Sequence, residues 1–124
     1  MAYLGYKDLQ VWQKAMLLVE EVYRLTNCLP DSEKFGLVSQ MRRSAVSVPS
    51  NIAEGKCRAT RKDYARFIYT AIGSLAELET QIIICARLGY FKGDLKALFL
   101  ISELEKMLGK LVIKLRSPYG NLPT

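Results

Sequence analysis

Apolar positions recur at helical spacing along most of the chain, and nowhere do they alternate strictly enough to suggest a strand. Four helices are expected. The first spans about Lys7 to Asn27. Its apolar residues Leu9, Val11, Trp12, Ala15, Met16, Leu18, Val19, Val22 and Tyr23 cover nearly half the circumference, and Leu29-Pro30 ends it. The second starts after Pro30, where Asp31 and Glu33 suit the positive end of the helix dipole, and runs to Gly55 or Lys56. Pro49 lies inside it and leaves the carbonyl of Ala45 without its amide, so a kink is expected there. Such a break costs about 3 kcal/mol, which the surrounding packing has to offset. The alternative ends this helix near Val48 and starts a short new one at Pro49.

The third helix begins at the capping box Thr60-x-x-Asp63 and continues to about Leu88, before Gly89. Phe67, Ile68, Ala71, Ile72, Leu75, Leu78, Ile82 and Ala86 form its apolar stripe. The fourth runs from about Asp94 to Arg116, nearly surrounded by apolar residues from Leu95 to Leu115 and ended by Ser117-Pro118. Short links between long helices favour antiparallel neighbours, so the expected fold is all-α, an up-down-up-down four-helix bundle with the second helix kinked at Pro49. It forms a single domain over residues 1–118, with 119–124 as a frayed tail. The first and fourth helices carry more apolar surface than one bundle buries, which points to self-association.

A second, polar pattern runs along the second helix. At about 100° per residue, Gly36, Gln40, Arg43, Ser47, Asn51, Glu54 and Arg58 fall in one sector roughly 80° wide, opposite Leu37, Met41, Ala45, Val48 and Ile52. The third helix has a matching stripe of Arg66, Thr70, Gly73, Glu77 and Gln81. Glycine in mid-helix costs about 1 kcal/mol relative to alanine, so a close helix–helix approach is expected at Gly73. Arg43, Ser47, Asn51, Glu54, Ser74 and Glu77 read either as a ligand surface or as a buried network. In the network reading, favoured here, Arg43 or Arg58 pairs with Glu77 or Glu54, and Asn51 serves groups freed by Pro49.

With 124 residues, half of them apolar, the chain can bury about two thirds of its unfolded surface as one core. Cys28, Cys57 and Cys85 are odd in number and widely spaced, as expected of buried or half-buried free thiols rather than a disulfide framework or metal site. The chain has no histidine, which excludes His-dependent triads, HExxH zinc sites and the Glu-x-x-His ligands of di-iron bundles. Neither a phosphate-binding glycine loop nor a signal pattern is present, and no run of 18 residues is both apolar and uncharged. A cytoplasmic protein without membrane, metal or cofactor is expected. The net charge is +6, and residues 41–70 supply most of it, with seven basic groups against two acidic ones. The excess gathers at Lys56, Arg58, Arg61, Lys62 and Arg66. Tyr64, Phe67 and Tyr69 interleave with these cations. Phe67 is expected in the core, and at most one tyrosine is expected to be exposed for stacking on a base.

Three motifs, DLQVWQKA in the first helix, PDSEKFGLVSQMRRSAVSVPSNIAEG in the second and AIGSLAELETQ in the third, resemble the bacterial "four helix bundle" family, also called 23S rRNA intervening-sequence proteins. The resemblance spans about residues 6 to 116, and SVPSNIAEG is its most specific part. It implies four antiparallel helices, ring-shaped homopentamers and an association with RNA. A distant branch, the accessory variability determinant of diversity-generating retroelements, uses a basic pentameric surface to bind nucleic acid and a reverse transcriptase. Five copies would pool roughly twenty-five of the clustered cations on one rim.

The expected function is therefore a non-enzymatic oligomer that binds RNA, or DNA, without sequence preference, through Lys56, Arg58, Arg61, Lys62 and Arg66. The alternative is a scaffold that docks a partner protein such as a reverse transcriptase and has no nucleic-acid role.

Overall fold

A computed structural model describes residues 5–92 and 96–118. Among these residues there are four α-helices and no strand: α1, Gln10–Thr26; α2, Leu37–Lys56; α3, Arg61–Arg87; and α4, Lys96–Arg116. Short 3-10 turns at Tyr6–Asp8 and Asp31–Glu33 precede α1 and α2. The expected start of the fourth helix at Asp94 and the expected tail at 119–124 lie outside the described residues. Contacts run α1 to α2, α2 to α3, α3 to α4 and α4 back to α1, so the helices form an antiparallel four-membered ring.

One core lies between the four apolar faces. Leu18 and Val22 of α1, Met41, Val48 and Ile52 of α2, Ile68, Leu75, Leu78 and Ile82 of α3, and Ile101, Leu104 and Leu108 of α4 are all fully buried. Burial of each such side chain contributes about 1.5–3 kcal/mol, the principal source of stability in a bundle of this size. That packing also carries α2 unbroken through the buried Pro49. The alternative of two helices meeting at Pro49 is therefore not what the chain adopts.

The second helix begins later than its sequence suggests. Residues 31–33 form the 3-10 turn, and Gly36 is non-helical at φ −111° and ψ −110°. Glu33 does serve the positive end of α2, but from outside the helix. Its Oε1 accepts the Leu37 amide at 3.3 Å and its Oε2 accepts the Tyr90 hydroxyl at 2.8 Å. This carboxylate thus ties the entry of α2 to the exit of α3, and both the hydrogen bond and burial hold the Tyr90 phenol above its usual pKa.

The third helix starts where expected, with Thr60 as a one-sided N-cap whose Oγ1 accepts the Asp63 amide at 3.1 Å, while the return bond of a capping box does not form among the described residues. It ends in a Schellman motif. Gly89 has φ +82°, its amide bonds to Ala86 O, and the Tyr90 amide bonds to Cys85 O. A window of α3 is long and apolar enough to cross a membrane by composition, but its buried face packs against α2 and α4.

Two expectations about small residues change. Gly73 is exposed and a Cβ there would meet nothing within 4 Å among the described residues. The close approach of α2 and α3 falls instead at Gly55, where a Cβ would stand 2.9 Å from Phe67 Cβ and 3.2 Å from Tyr64 O. Of the cysteines only Cys85 is buried, while Cys28 and Cys57 are exposed.

Candidate nucleic-acid interface

The end of the bundle at which α2 finishes, α3 starts and α4 finishes is built from basic residues. The link of residues 57–60 reverses the chain so tightly that the last turn of α2 and the first turns of α3 share one surface. Gly55 permits this, since any side chain at that position would strike Phe67 and Tyr64. Phe67 is half-buried at the α2–α3 edge rather than in the core, and it supports two guanidinium groups. Arg58 lies 4.6 Å and Arg66 5.6 Å from its ring centroid. Tyr64 is buried and Tyr69 is 46% exposed.

The five clustered cations fall into three situations. Arg58 donates to Glu54 at 2.7 Å, one helical turn back, and Arg66 stands 3.6 Å from Asp63. Both pairs are solvent-exposed and worth at most about 1 kcal/mol, so a phosphate can displace the carboxylates. Lys56 and Lys62 make no ion pair among the described residues, with Lys62 exposed and Lys56 half-buried. Arg61 is committed elsewhere. Its Nη2 donates to the main-chain oxygens of Lys114, at 2.8 Å, and Ser117, and its buried Nε has no hydrogen-bond partner among the described residues.

Between the first turns of α3 and the last turn of α4 lies a groove of about 650 Å³. Among the described residues Arg61, Lys62, Arg66 and Arg116 line it with Tyr69 and a single carboxylate, Asp63, while Ala65, Leu115 and Pro118 supply apolar wall. Arg116 Nη1 donates to the Tyr69 hydroxyl at 2.8 Å. The sequence offered no signal for Arg116 as part of this surface. It lies 50 positions beyond Arg66, and the antiparallel pairing of α3 with α4 brings it in.

The polar stripe is assembled only in part. Ser47 Oγ and Ser74 Oγ share a hydrogen bond of 2.8 Å across the α2–α3 seam, and Asn51 Nδ2 donates to Ser47 O at 2.8 Å and to Ser47 Oγ at 2.9 Å. Asn51 therefore serves Ser47, not the Ala45 carbonyl that Pro49 leaves free. Glu54 belongs to the Arg58 pair, while Arg43 and Glu77 are exposed and make no ion pair among the described residues. Gln81, on the matching α3 stripe, is buried with its Oε1 unpartnered among the described residues. The structure gathers Ser47, Asn51 and Ser74 as an inter-helix contact and leaves Arg43 and Glu77 at the surface. Among the described residues no three His, Cys, Asp or Glu side chains come together as metal ligands.

No curated protein matches the chain. A family model does, over residues 7–110, and it covers the first three helices and most of α4. The chain, an all-α antiparallel bundle carrying the motifs of α1, α2 and α3, belongs to the family described as 23S rRNA-intervening sequence protein.

Proposed function

We propose that this protein is a non-enzymatic RNA-binding bundle that holds structured RNA through the basic groove and the adjoining α2–α3 link, without reading base sequence. The groove carries this reading. It brings Lys62, Arg66 and Arg116 against one carboxylate among the described residues, beside the charge of the committed Arg61, with exposed Arg58 and half-buried Lys56 at the adjoining link. Arginine and lysine side chains neutralise phosphates and release counterions, and contacts of that kind carry no base sequence. The family's name places its members at ribosomal RNA genes, which favours RNA over DNA as the ligand.

Self-association belongs to the same proposal. Met16, Leu17 and Tyr23 on α1, and Phe99 and Ile113 on α4, remain exposed in the single subunit, Ile113 at 71% and Phe99 at 63%. Covering them with neighbouring copies would place several basic grooves on one assembly and multiply a weak single-site affinity. The homopentamer implied by the family resemblance is the proposed form.

Gel-shift titration against salt tests the reading. Affinity for a structured RNA is expected to fall steeply between low and physiological salt. The combined variant Lys62→Glu, Arg66→Glu and Arg116→Glu is expected to bind at least tenfold more weakly, by about 1.4 kcal/mol or more, with a shallower salt slope. Arg61 is left intact because it holds the end of α4. Unchanged binding in that variant, or binding indifferent to salt, would reject the proposal.

Exposed apolar side chains favour the alternative, a scaffold that docks a protein partner such as a reverse transcriptase: Phe35 is 90% exposed, and Ile83 and Ile84 on α3 and Leu88 just beyond it add exposed apolar surface. No binding to any RNA or DNA at low salt would favour that reading.

A further inference from the structure

The groove holds more than charge. Lys62, Arg66 and Tyr69 stand at positions i, i+4 and i+7 of α3, on one face, over a rise of about 10 Å. The Tyr69 ring is half-exposed, and its hydroxyl is tied at 2.8 Å to Arg116 Nη1 in the last turn of α4. The ring is thus anchored at both ends, by its own backbone in α3 and by Arg116 in α4. Tyr69 and Arg116 also border a second depression of about 460 Å³, with Val112 and the exposed Ile113. The pair stands on the boundary between two adjoining hollows.

Phosphate binding alone accounts for the cations and leaves the aromatic face and apolar walls unexplained. A double helix presents phosphates, sugars and base edges, while its base faces are occupied by their stacked neighbours. An unpaired nucleotide presents both a charged backbone and a free base face. We infer that the Tyr69 groove is a site for an unpaired RNA nucleotide, its base stacked on the Tyr69 ring beside the exposed Pro118, and its flanking phosphates held by Lys62, Arg66 and Arg116. This rests on the RNA-binding reading and narrows it, because the groove then selects loops, bulges and single-stranded ends over continuous duplex. The volume of about 650 Å³ is in the range of pockets that take small organic ligands, which suits one nucleotide.

Fluorescence anisotropy on the full chain tests this at fixed salt, with a single-stranded RNA of about twelve nucleotides and a duplex of the same length as probes. The single strand is expected to bind about tenfold more tightly than the duplex. Tyr69→Ala is expected to remove that advantage while changing duplex affinity by about twofold at most, because the phosphate contacts remain. Tyr69→Phe keeps the ring face and is expected to keep the preference. A 2-aminopurine placed in the single strand is expected to be quenched by the unaltered protein and by Tyr69→Phe, but not by Tyr69→Ala. Equal affinity for the two probes, full single-strand binding by Tyr69→Ala, or loss of the preference in Tyr69→Phe would overturn the stacking site. In each of those cases a retained salt slope leaves the general RNA-binding reading standing. No binding of either probe at low salt removes both.

Discussion

Arg61 Nη2 donates to the main-chain oxygen of Lys114 across 2.8 Å, fastening the first turn of α3 to the last turn of α4. The terminal carbonyls of a helix lack intrahelical partners, and a guanidinium at that end satisfies them and suits the negative pole of the dipole. Arg61→Ala is expected to cost about 1–3 kcal/mol, whereas Lys62→Ala, at an exposed position, is expected to stay within about 0.5 kcal/mol. Chemical denaturation of the two variants checks this. Equal stability would deny Arg61 its clamping role.

Two glycines within helices are expected to respond to alanine in opposite directions. At Gly55 the new methyl would lie 2.9 Å from Phe67 Cβ and 3.2 Å from Tyr64 O, so α2 and α3 must part and stability is expected to fall by about 1–3 kcal/mol. At Gly73 the methyl meets nothing within 4 Å among the described residues, and lower chain entropy in the unfolded state is expected to stabilise the fold by about 0.4–1 kcal/mol. Thermal melting reads both signs. Destabilisation by Gly73→Ala would place another copy of the chain against that face.

Alkaline conditions are expected to weaken the fold partly through Tyr64. Burial raises its phenol from the ordinary value of 10.0 to about 12. Between those values the unfolded chain gives up the proton while the folded chain keeps it. Stability from this group is therefore intact below pH 10 and falls as pH rises towards 12. Tyr64→Phe removes this pH dependence, and because the Tyr64 hydroxyl makes no hydrogen bond among the described residues, its neutral-pH stability is expected to change little. A denaturation series from pH 8 to 12 should be flatter for the variant.

Light scattering at micromolar concentration is expected to give a mass well above the 14.0 kDa of one chain. Phe99→Lys together with Ile113→Lys, at exposed apolar positions of α4, is expected to shift the protein towards smaller species without lowering its helix content. A clean 14.0 kDa species in the unaltered protein would remove self-association from the account.

The helices were legible in the sequence because their apolar faces repeat at helical spacing, and the ends of α3 were legible because Thr60, Asp63 and Gly89 are local signals. The entry to α2 was not. Pro30, Asp31 and Glu33 announce a helix start, but the Glu33 carboxylate is shared with Tyr90, 57 residues away, and local pattern holds no trace of that bond. The site divides the same way. Lys62 and Arg66 share a face by spacing alone, whereas Arg116 joins them only through the α3–α4 pairing. Arg61 belonged to the cluster by charge, yet its hydrogen bonds make it a clamp for α4. Gly55 and Gly73 are equivalent as letters within helices, and only packing tells the crowded one from the open one.

The tight link between α2 and α3 bears on the order in which the molecule assembles. These two helices form the most extensive pairing in the bundle, and only residues 57–60 separate them. Closing so short a loop loses little chain entropy, so this hairpin is expected to nucleate folding, with α1 and α4 docking afterwards onto a preformed platform. Substitutions at the Gly55 crossing should then slow refolding, while those on the outer helices should mainly quicken unfolding.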